Sequence, residues 1–471
     1  MEEASSDRPF GPRFVTPMFI GAALNPINSS VIATALVAIA ATMGVSVGRT
    51  SILISCLYLT SAVAQPTCGR LAEEFGPRRV FLAGITIVFV AGIIGGLATS
   101  LATLVVSRVL IGLGTSAGYP SAMLLIRRRA TAIGLTSPPR QVLGGLAISG
   151  AATTAIGPAI GGLLIGWFDW RAAFYVNVPV ACVAFAMAML WIPRDTDSLR
   201  GHSVRELVTR IDIGGVIGFA SAMIALLVFL ISLPAPDWPA LVVAVVVAAA
   251  LVWWELRTEN PFFDVRLLAS NMALTRTYLR YGMSLLGTYT ILYGLTEWME
   301  AARGLSAYQA GLMLIPMGLL SAVTARLVSN RRDFRKPLMI APVFMLLGAI
   351  CCLFLTSHSP VIAIIVVTAL FGLMSGSHNV TNQTALYRQA PAAKVGTASG
   401  LLRTFGYAGS IASATITGIV FRVRVDDAGL HRVSLILIGI GVVILLLTLL
   451  DPQLAKADRE ALASAPGARQ T

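Results

Sequence analysis

Charged side chains are sparse in this sequence, so those inside apolar stretches are the natural place to look for chemistry. Arg108 lies in Leu-Ala-Thr-Leu-Val-Val-Ser-Arg-Val-Leu-Ile, about one turn inside an apolar run. A guanidinium there is costly and usually functional. It relays charge or holds an anionic group. Tyr289, Tyr293, Glu297 and Glu300 fall on one helical face. Two phenols and two carboxyls in a row can exchange protons at a cavity mouth. The same face also reads as an interfacial aromatic belt with a solvated outer carboxylate pair. Asn25 and Asn28 share a face as well. An amide does not titrate, but it hydrogen-bonds a solute or a neighbouring helix. Gln65 is a further amide in the next run. His378, with Asn379 and Asn382, ends a later run. Histidine carries protons near neutral pH, or simply packs at an interface.

The elements that must position these groups follow from composition. Of 471 residues, 56% are hydrophobic and 12% charged, against about 25% charged in ordinary soluble domains. Apolar runs of about 20 residues, enough to cross a bilayer, recur along the whole chain. The chain reads as an all-α polytopic membrane protein. The opening Met-Glu-Glu-Ala-Ser-Ser-Asp lacks the basic region of a cleaved signal, so the first span is expected to be retained. The net charge of +13 would suggest nucleic acid in a soluble protein; here its placement beside spans gives the better explanation, and no nucleic-acid partner is expected. Cys56, Cys68, Cys182, Cys351 and Cys352 have no metal or disulfide spacing. No Gly-x4-Gly-Lys-Ser/Thr loop is present, and Gly112-x-Gly114 does not follow a strand. Neither ATP hydrolysis, a cofactor nor an enzyme activity is expected.

Fourteen spans are predicted, near 14–40, 50–68, 80–99, 102–126, 139–166, 172–192, 212–232, 239–256, 274–299, 307–327, 337–356, 360–383, 396–420 and 433–450. With both termini inside, 27 of the 35 Lys and Arg fall on inner segments, six fall outside, and Arg108 and Arg403 lie within spans. That asymmetry is what the positive-inside rule demands. It gives an N-terminal tail over 1–13, a six-helix bundle over 14–192 and a linker over 193–211. Two inserted spans occupy 212–256, and a second linker 257–273. A second six-helix bundle covers 274–450, and a C-terminal tail 451–471. None of the 22 acids is placed mid-span. Glu297 is 17 residues beyond Arg280, about 25 Å of helix, and is expected near the outer interface.

Two stretches carry mechanical signals. After the second span, Gly69-Arg-Leu-Ala-Glu73-Glu-Phe-Gly76-Pro-Arg78-Arg79 combines turn-forming glycines with charges able to pair at a helix end. In the fifth span, Gly144–Gly162 carries no charge and contains Gly157-Pro158 and Gly161-Gly162. Small residues permit close helix approach, and a mid-span proline bends the helix.

Gly69–Leu82 resembles the signature loop of the major facilitator superfamily, with Glu73 and Glu74 where Asp and Arg are usual. Arg108 with Gly112 and Gly114 resembles the fourth-span Arg motif. Gly144, Gly157-Pro158 and Gly161-Gly162 resemble the fifth-span antiporter motif, with Thr153 in a Gly position. Trp170-Arg171-x-x-Phe174-x-x-Asn177-x-Pro179, Glu255-x-Arg257-x-x-x-Pro261, Gly304-Leu-Ser-x-x-Gln-Ala-Gly311 and Gly396-x-Ala-Ser-Gly400 resemble hallmarks of the fourteen-span drug:proton antiporter branch.

The resemblance implies a major facilitator fold of two six-helix bundles plus two extra spans, alternating access, and export of small amphipathic compounds by proton antiport from the cytoplasmic membrane of a bacterium. On the exporter reading, Asn25, Asn28, Gln65, Tyr289 and Tyr293 are the expected cavity contacts, and Arg108, Glu297 and Glu300 the expected charge relay. Glu73, Arg78, Arg79, Gly157, Pro158 and Gly161 become gating elements. Asn28 stands where relatives usually carry Asp, so neutral or anionic substrates are expected at least as readily as cations. Small-molecule substrates and lipid are the expected partners, with the monomer as functional unit. Uptake or exchange of a metabolite, a proton-independent carrier, and a non-transporting receptor remain open alternatives.

Overall fold

The computed structural model describes residues 9–135, 139–195, 212–233, 235–259, 261–329, 335–390 and 395–451, all helix and connection. Most of the linker 193–211, the start of the N-terminal tail and the tail beyond Asp451 lie outside the described residues. The chain divides into two compact units, Met1–Gly44 with Ile52–Phe262, and Val45–Ser51 with Phe263–Thr471. The two inserted spans group with the first.

The first unit holds α1 (Pro12–Val31), α2 (Leu36–Met43), α3 (Val47–Phe75, from Ile52), α4 (Pro77–Gly96), α5 (Leu101–Ser116), α6 (Gly118–Ala132), α7 (Arg140–Trp167), α8 (Ala172–Tyr175), α9 (Asn177–Trp191), α10 (Ile213–Ser232) and α11 (Trp238–Glu255). Helix α1 packs along α7, α4 lies on α5 and α9, and α10 pairs with α11. Phe14, Met18, Phe81, Ile85, Val88 and Ile126 are central to its core.

The second unit holds α12 (Val265–Ser270), α13 (Met272–Ala301), α14 (Ala307–Met313), α15 (Ile315–Ser329), α16 (Arg335–Leu353), α17 (Val361–Gln389), α18 (Val395–Val420) and α19 (Asp427–Leu449). Helix α13 packs on α18, α15 and α16 pack on α17, and α16 packs on α19. Tyr278 and Phe405 stack with ring centroids 5.4 Å apart inside a cluster that includes Leu274, Leu386 and Leu401.

Local chemistry sets the helix ends. Proline opens α1 and α4, where its missing N–H costs nothing. Ser100, Asp237, Asp264, Asn271 and Asp426 each accept a backbone N–H at a helix start, and Ser306 and Gln309 form a reciprocal capping box. Ten described stretches are long and apolar enough to cross a membrane, eleven if the bent pair α1–α2 is one span. Helix α13 has 30 residues but is rich in Tyr, Thr, Ser and Gly and falls outside that set. The fourteen crossings expected from the sequence exceed what length and apolarity alone establish.

Candidate functional site

The first unit is built around a break in its first span. Pro26 lies inside α1 and contributes no backbone donor. Just after it, Ser29 Oγ donates to the Asn25 carbonyl and Ser30 Oγ to the Pro26 carbonyl, each at 2.9 Å. Such back-bonding hydroxyls bend helices. The α-helix stops at Val31, a short tight turn covers Ile32–Thr34, and the chain re-enters α2 bent by 60°. At the break the Ile32 N–H turns to Ser30, and the Asn28 carbonyl receives Nη1 of Arg108 at 3.2 Å. Nε of Arg108 donates to the Leu53 carbonyl at 3.0 Å. Arg108 is only 1% exposed. It therefore bridges α5 to the first two spans through backbone dipoles.

Asn28 is placed differently from its expected cavity role. Its Nδ2 donates to Asn177 Oδ1 at 2.7 Å, and Asn177 Nδ2 returns a bond to Asn28 Oδ1 at 3.0 Å. Each amide also donates to a carbonyl of its own segment, Leu24 and Phe174. Both residues are buried. Asn28 is a helix-to-helix lock, and its position beneath Arg108 fixes the carbonyl that Arg108 uses. Asn25, one turn earlier, donates to Ser61 Oγ and Thr115 Oγ1 at 2.9 and 3.0 Å. Gln65 is buried one turn beyond Ser61 on α3. The structure thus brings Asn25, Asn28 and Arg108 together.

The fifth-span glycines sit against the same break. A Cβ on Gly157 would collide with Ser30 Oγ, and one on Gly161 would lie 2.6 Å from both Thr34 Oγ1 and the Val31 carbonyl. Ser30 Oγ also donates to the Thr153 carbonyl at 3.3 Å. These glycines therefore seat α7 on α1 within their own unit, with Pro158 buried between them. Thr153, in its Gly position, turns its hydroxyl back to the Ser149 and Gly150 carbonyls.

In the signature loop, Gly76 takes φ +98, and Asp195 lies where a side chain on Gly76 would project. The Asp195 carboxylate accepts from the backbone N–H groups of Arg78 and Arg79 at 3.2 and 2.9 Å, capping α4. The Arg78 guanidinium reaches the Met189 carbonyl at 2.8 Å, while Glu73 is exposed and its carbonyl accepts from Arg128. The expected Glu73–Arg78 latch is not formed among the described residues. Arg70 instead donates to the Pro261 carbonyl at 2.8 Å, tying the loop helix to the chain after α11. Beside it Asp212, left-handed at φ 53, accepts from the Gly215 N–H, the Trp254 indole and the Phe262 N–H at 3.0, 2.8 and 2.8 Å.

In the second unit, Tyr289 and Tyr293 stack at 5.7 Å. Glu297, expected near solvent at the outer interface, is 0% exposed. Neither of its oxygens has a hydrogen-bond partner among the described residues, and Oε1 of Glu300 is likewise buried and unpartnered. The helix continues to Ala301, and one turn before Glu297, Gly294 lies against Thr417, Phe421 and Val433. Tertiary packing, invisible in a span count, encloses this carboxyl. At the other end of α13, Asp451 accepts from Arg276 and Arg280 at 2.7 and 3.1 Å, with Arg280 and Asp451 buried. His378 is not at a helix end: α17 runs on to Gln389 and buries the imidazole.

Asn177 has a sequence signal in Trp170–Pro179, whereas Asp195 and Asp451 have none beyond an acid beside a helix end.

The chain is similar to known proteins over most of its length. A Bacillus subtilis protein named "Uncharacterized MFS-type transporter YwoD" is 34% identical over 91% of this chain and 94% of its own length. The "Tetracenomycin C resistance and export protein" of Streptomyces glaucescens is 28% identical over 87% and 75%. The "Multidrug resistance protein Stp" of Mycobacterium tuberculosis is 27% identical over 78% and 68%. Among solved structures, the nucleoside transporter NupG superposes with a TM-score of 0.65 at 12% identity, covering 93% of this chain and 99% of that one, a likeness of fold. The Major Facilitator Superfamily model matches residues 18–414, and the chain, a multi-pass membrane transporter, belongs to that family.

Proposed function

We propose that the chain is a secondary exporter of small amphipathic compounds, driven by proton entry through alternating access across fourteen spans. The resistance and export names of its relatives support efflux. The observation that carries proton coupling is Glu297, a fully buried carboxyl with neither oxygen partnered among the described residues. A buried unpaired charge is strongly disfavoured, so this position suits a carboxyl that gains and loses a proton as access to it changes. Glu300 is its relay toward one side. In the first unit Arg108 holds the broken span, and Gly157 and Gly161 let α7 slide on it. The Asn28–Asn177 pair puts a neutral amide lock where a carboxylate would attract cations, which favours neutral or anionic substrates. The protein acts as a monomer in the cytoplasmic membrane with both termini inside.

Inverted vesicles with an imposed pH gradient test this reading. Gradient-driven flux is expected in wild type and is expected to fall at least tenfold in Glu297→Gln. Undiminished proton-driven flux in that variant rules out Glu297 as the coupling carboxyl.

A further inference from the structure

The proposed mechanism makes no use of a second set of buried polar atoms, in the middle of α17. His378 and Asn382 are each 1% exposed and, one turn apart, share a face. Nδ1 of His378 and Oδ1 of Asn382 have no hydrogen-bond partner among the described residues. Buried polar atoms are nearly always paired, so two orphans on one helical face require an explanation.

Their neighbours determine what each orphan can do. The Thr288 hydroxyl on α13 directs its single proton to the Ser284 carbonyl at 3.0 Å. Its oxygen lies 3.3 Å from Nε2 of His378 and 3.9 Å from Met374 Sδ. With the Thr288 proton on the Ser284 carbonyl, the shortest of its contacts, the matching tautomer carries hydrogen on Nε2 and leaves Nδ1 an acceptor. Asn382 Nδ2 donates to the His378 carbonyl at 2.9 Å, so its remaining oxygen is an acceptor too. Tyr281 of α13 lies beside the imidazole with ring centroids 6.1 Å apart. It approaches α18 closely at Gly406, where a Cβ would stand 2.7 Å from the Tyr281 ring. Thr288 and Asn382 are buried, while Tyr281 is half-buried. The result is two acceptors next to an aromatic face, with no complementary donor among the described residues.

We infer that the His378–Asn382 face of α17, with Tyr281 beside it, is a binding half-site for aromatic compounds that carry hydroxyl or N–H donors. A ring that carries two neighbouring O–H or N–H donors pairs both orphan acceptors, and its face lies against Tyr281. An ether of the same shape leaves both acceptors unpaired, which is the strongest form of discrimination a buried polar site offers. The half-site specifies a substrate class for the exporter proposed above and rests on that reading only for its consequence in flux.

The test uses the full-length protein in detergent and a matched probe pair, tritiated 2,3-dihydroxyanthraquinone, whose hydroxyls are adjacent, and its dimethyl ether, in a scintillation-proximity binding assay. Wild type is expected to favour the dihydroxy probe at least tenfold. His378→Phe and Asn382→Leu are each expected to reduce that preference below twofold. His378→Gln, which supplies an amide acceptor, is expected to keep it within threefold of wild type, so a folding defect is separable from a lost acceptor. Equal wild-type affinity for the two probes overturns the half-site, as does a preference that survives in folded Asn382→Leu. Donor-selective binding without gradient-driven flux of the dihydroxy probe leaves the half-site standing and overturns the exporter reading. Flux of both probes at equal efficiency does the reverse.

Discussion

Asn28 and Asn177 bind each other through both halves of their amides, 149 positions apart in sequence. The pair joins the first span, just before its break, to the start of α9. Removal of one amide strands the other. A buried unpaired polar group costs about 1–3 kcal/mol, whereas replacing both partners by apolar groups is far milder. Asn177→Leu is therefore expected to lower the thermal midpoint of the purified protein more than the Asn28→Leu, Asn177→Leu double variant does. A double-mutant cycle that shows simple additivity would remove the lock.

The seat of α7 on α1 is a steric relationship with a compensating partner. Gly157→Ala places a methyl group on Ser30 Oγ, and overpacking at such a contact costs about 1–3 kcal/mol. Transport rate is expected to fall at least tenfold in Gly157→Ala and to recover substantially when Ser30→Gly is added. Gly161→Ala, which presses on backbone at Val31 as well as Thr34, is expected not to recover with Thr34→Ser. Initial rates in vesicles, normalised to protein, measure both.

Asp451 holds two guanidiniums at the end of the last helix. Breaking a buried ion pair from one side costs about 3–5 kcal/mol because the remaining charge is left uncompensated. Asp451→Asn is expected to be strongly destabilising, and Arg276→Gln mild, because Arg276 is part-exposed. A chain ended after Leu450 is expected to behave like Asp451→Asn, while a chain that retains Asp451 is not. Thermal unfolding in detergent distinguishes them.

Asp212 receives three donors from three separate places. Asp212→Ala removes all three bonds and leaves a left-handed backbone at a residue that cannot support it. Trypsin cleavage after Arg257 and Arg266 is expected to accelerate severalfold in this variant and to stay near wild type in Asp212→Asn. Equal cleavage in Asp212→Ala and wild type argues against the clasp.

The helices are largely legible in the sequence because lipid demands long apolar segments, and each expected span overlaps a helix, although 80–99 and 337–356 overrun the helix ends at Gly96 and Leu353. The break at Ile32–Thr34 was not legible, because no glycine or proline stands there; it arises from Pro26 and the hydroxyls that follow it. Arg108 was legible as a costly charge, but its acceptors are backbone carbonyls that carry no sequence signature. Glu297 was placed at the surface because distance along a helix says nothing about what packs beside its end. His378 was placed at a terminus because α17 outlasts its apolar run. The Glu73–Arg78 latch was inferred from proximity in sequence, whereas the chain uses Asp195 for the helix end and directs Arg78 to Met189.

The clasp at Asp212 also has a topological consequence. Its carboxylate bonds the Phe262 N–H, so the polypeptide leaves for the α10–α11 hairpin and returns to nearly the same point. The segment is a closed excursion, a cassette whose entry and exit already touch. Joining Asp212 directly to Phe262 would excise both helices without stretching the flanking chain, giving a protein two helices shorter in one step. The reverse event, insertion of a hairpin at a single peptide bond, would require no other rearrangement. Among the contacts such an excision would leave unanswered are the Arg70–Pro261 bond and the packing of Phe219 on Phe262.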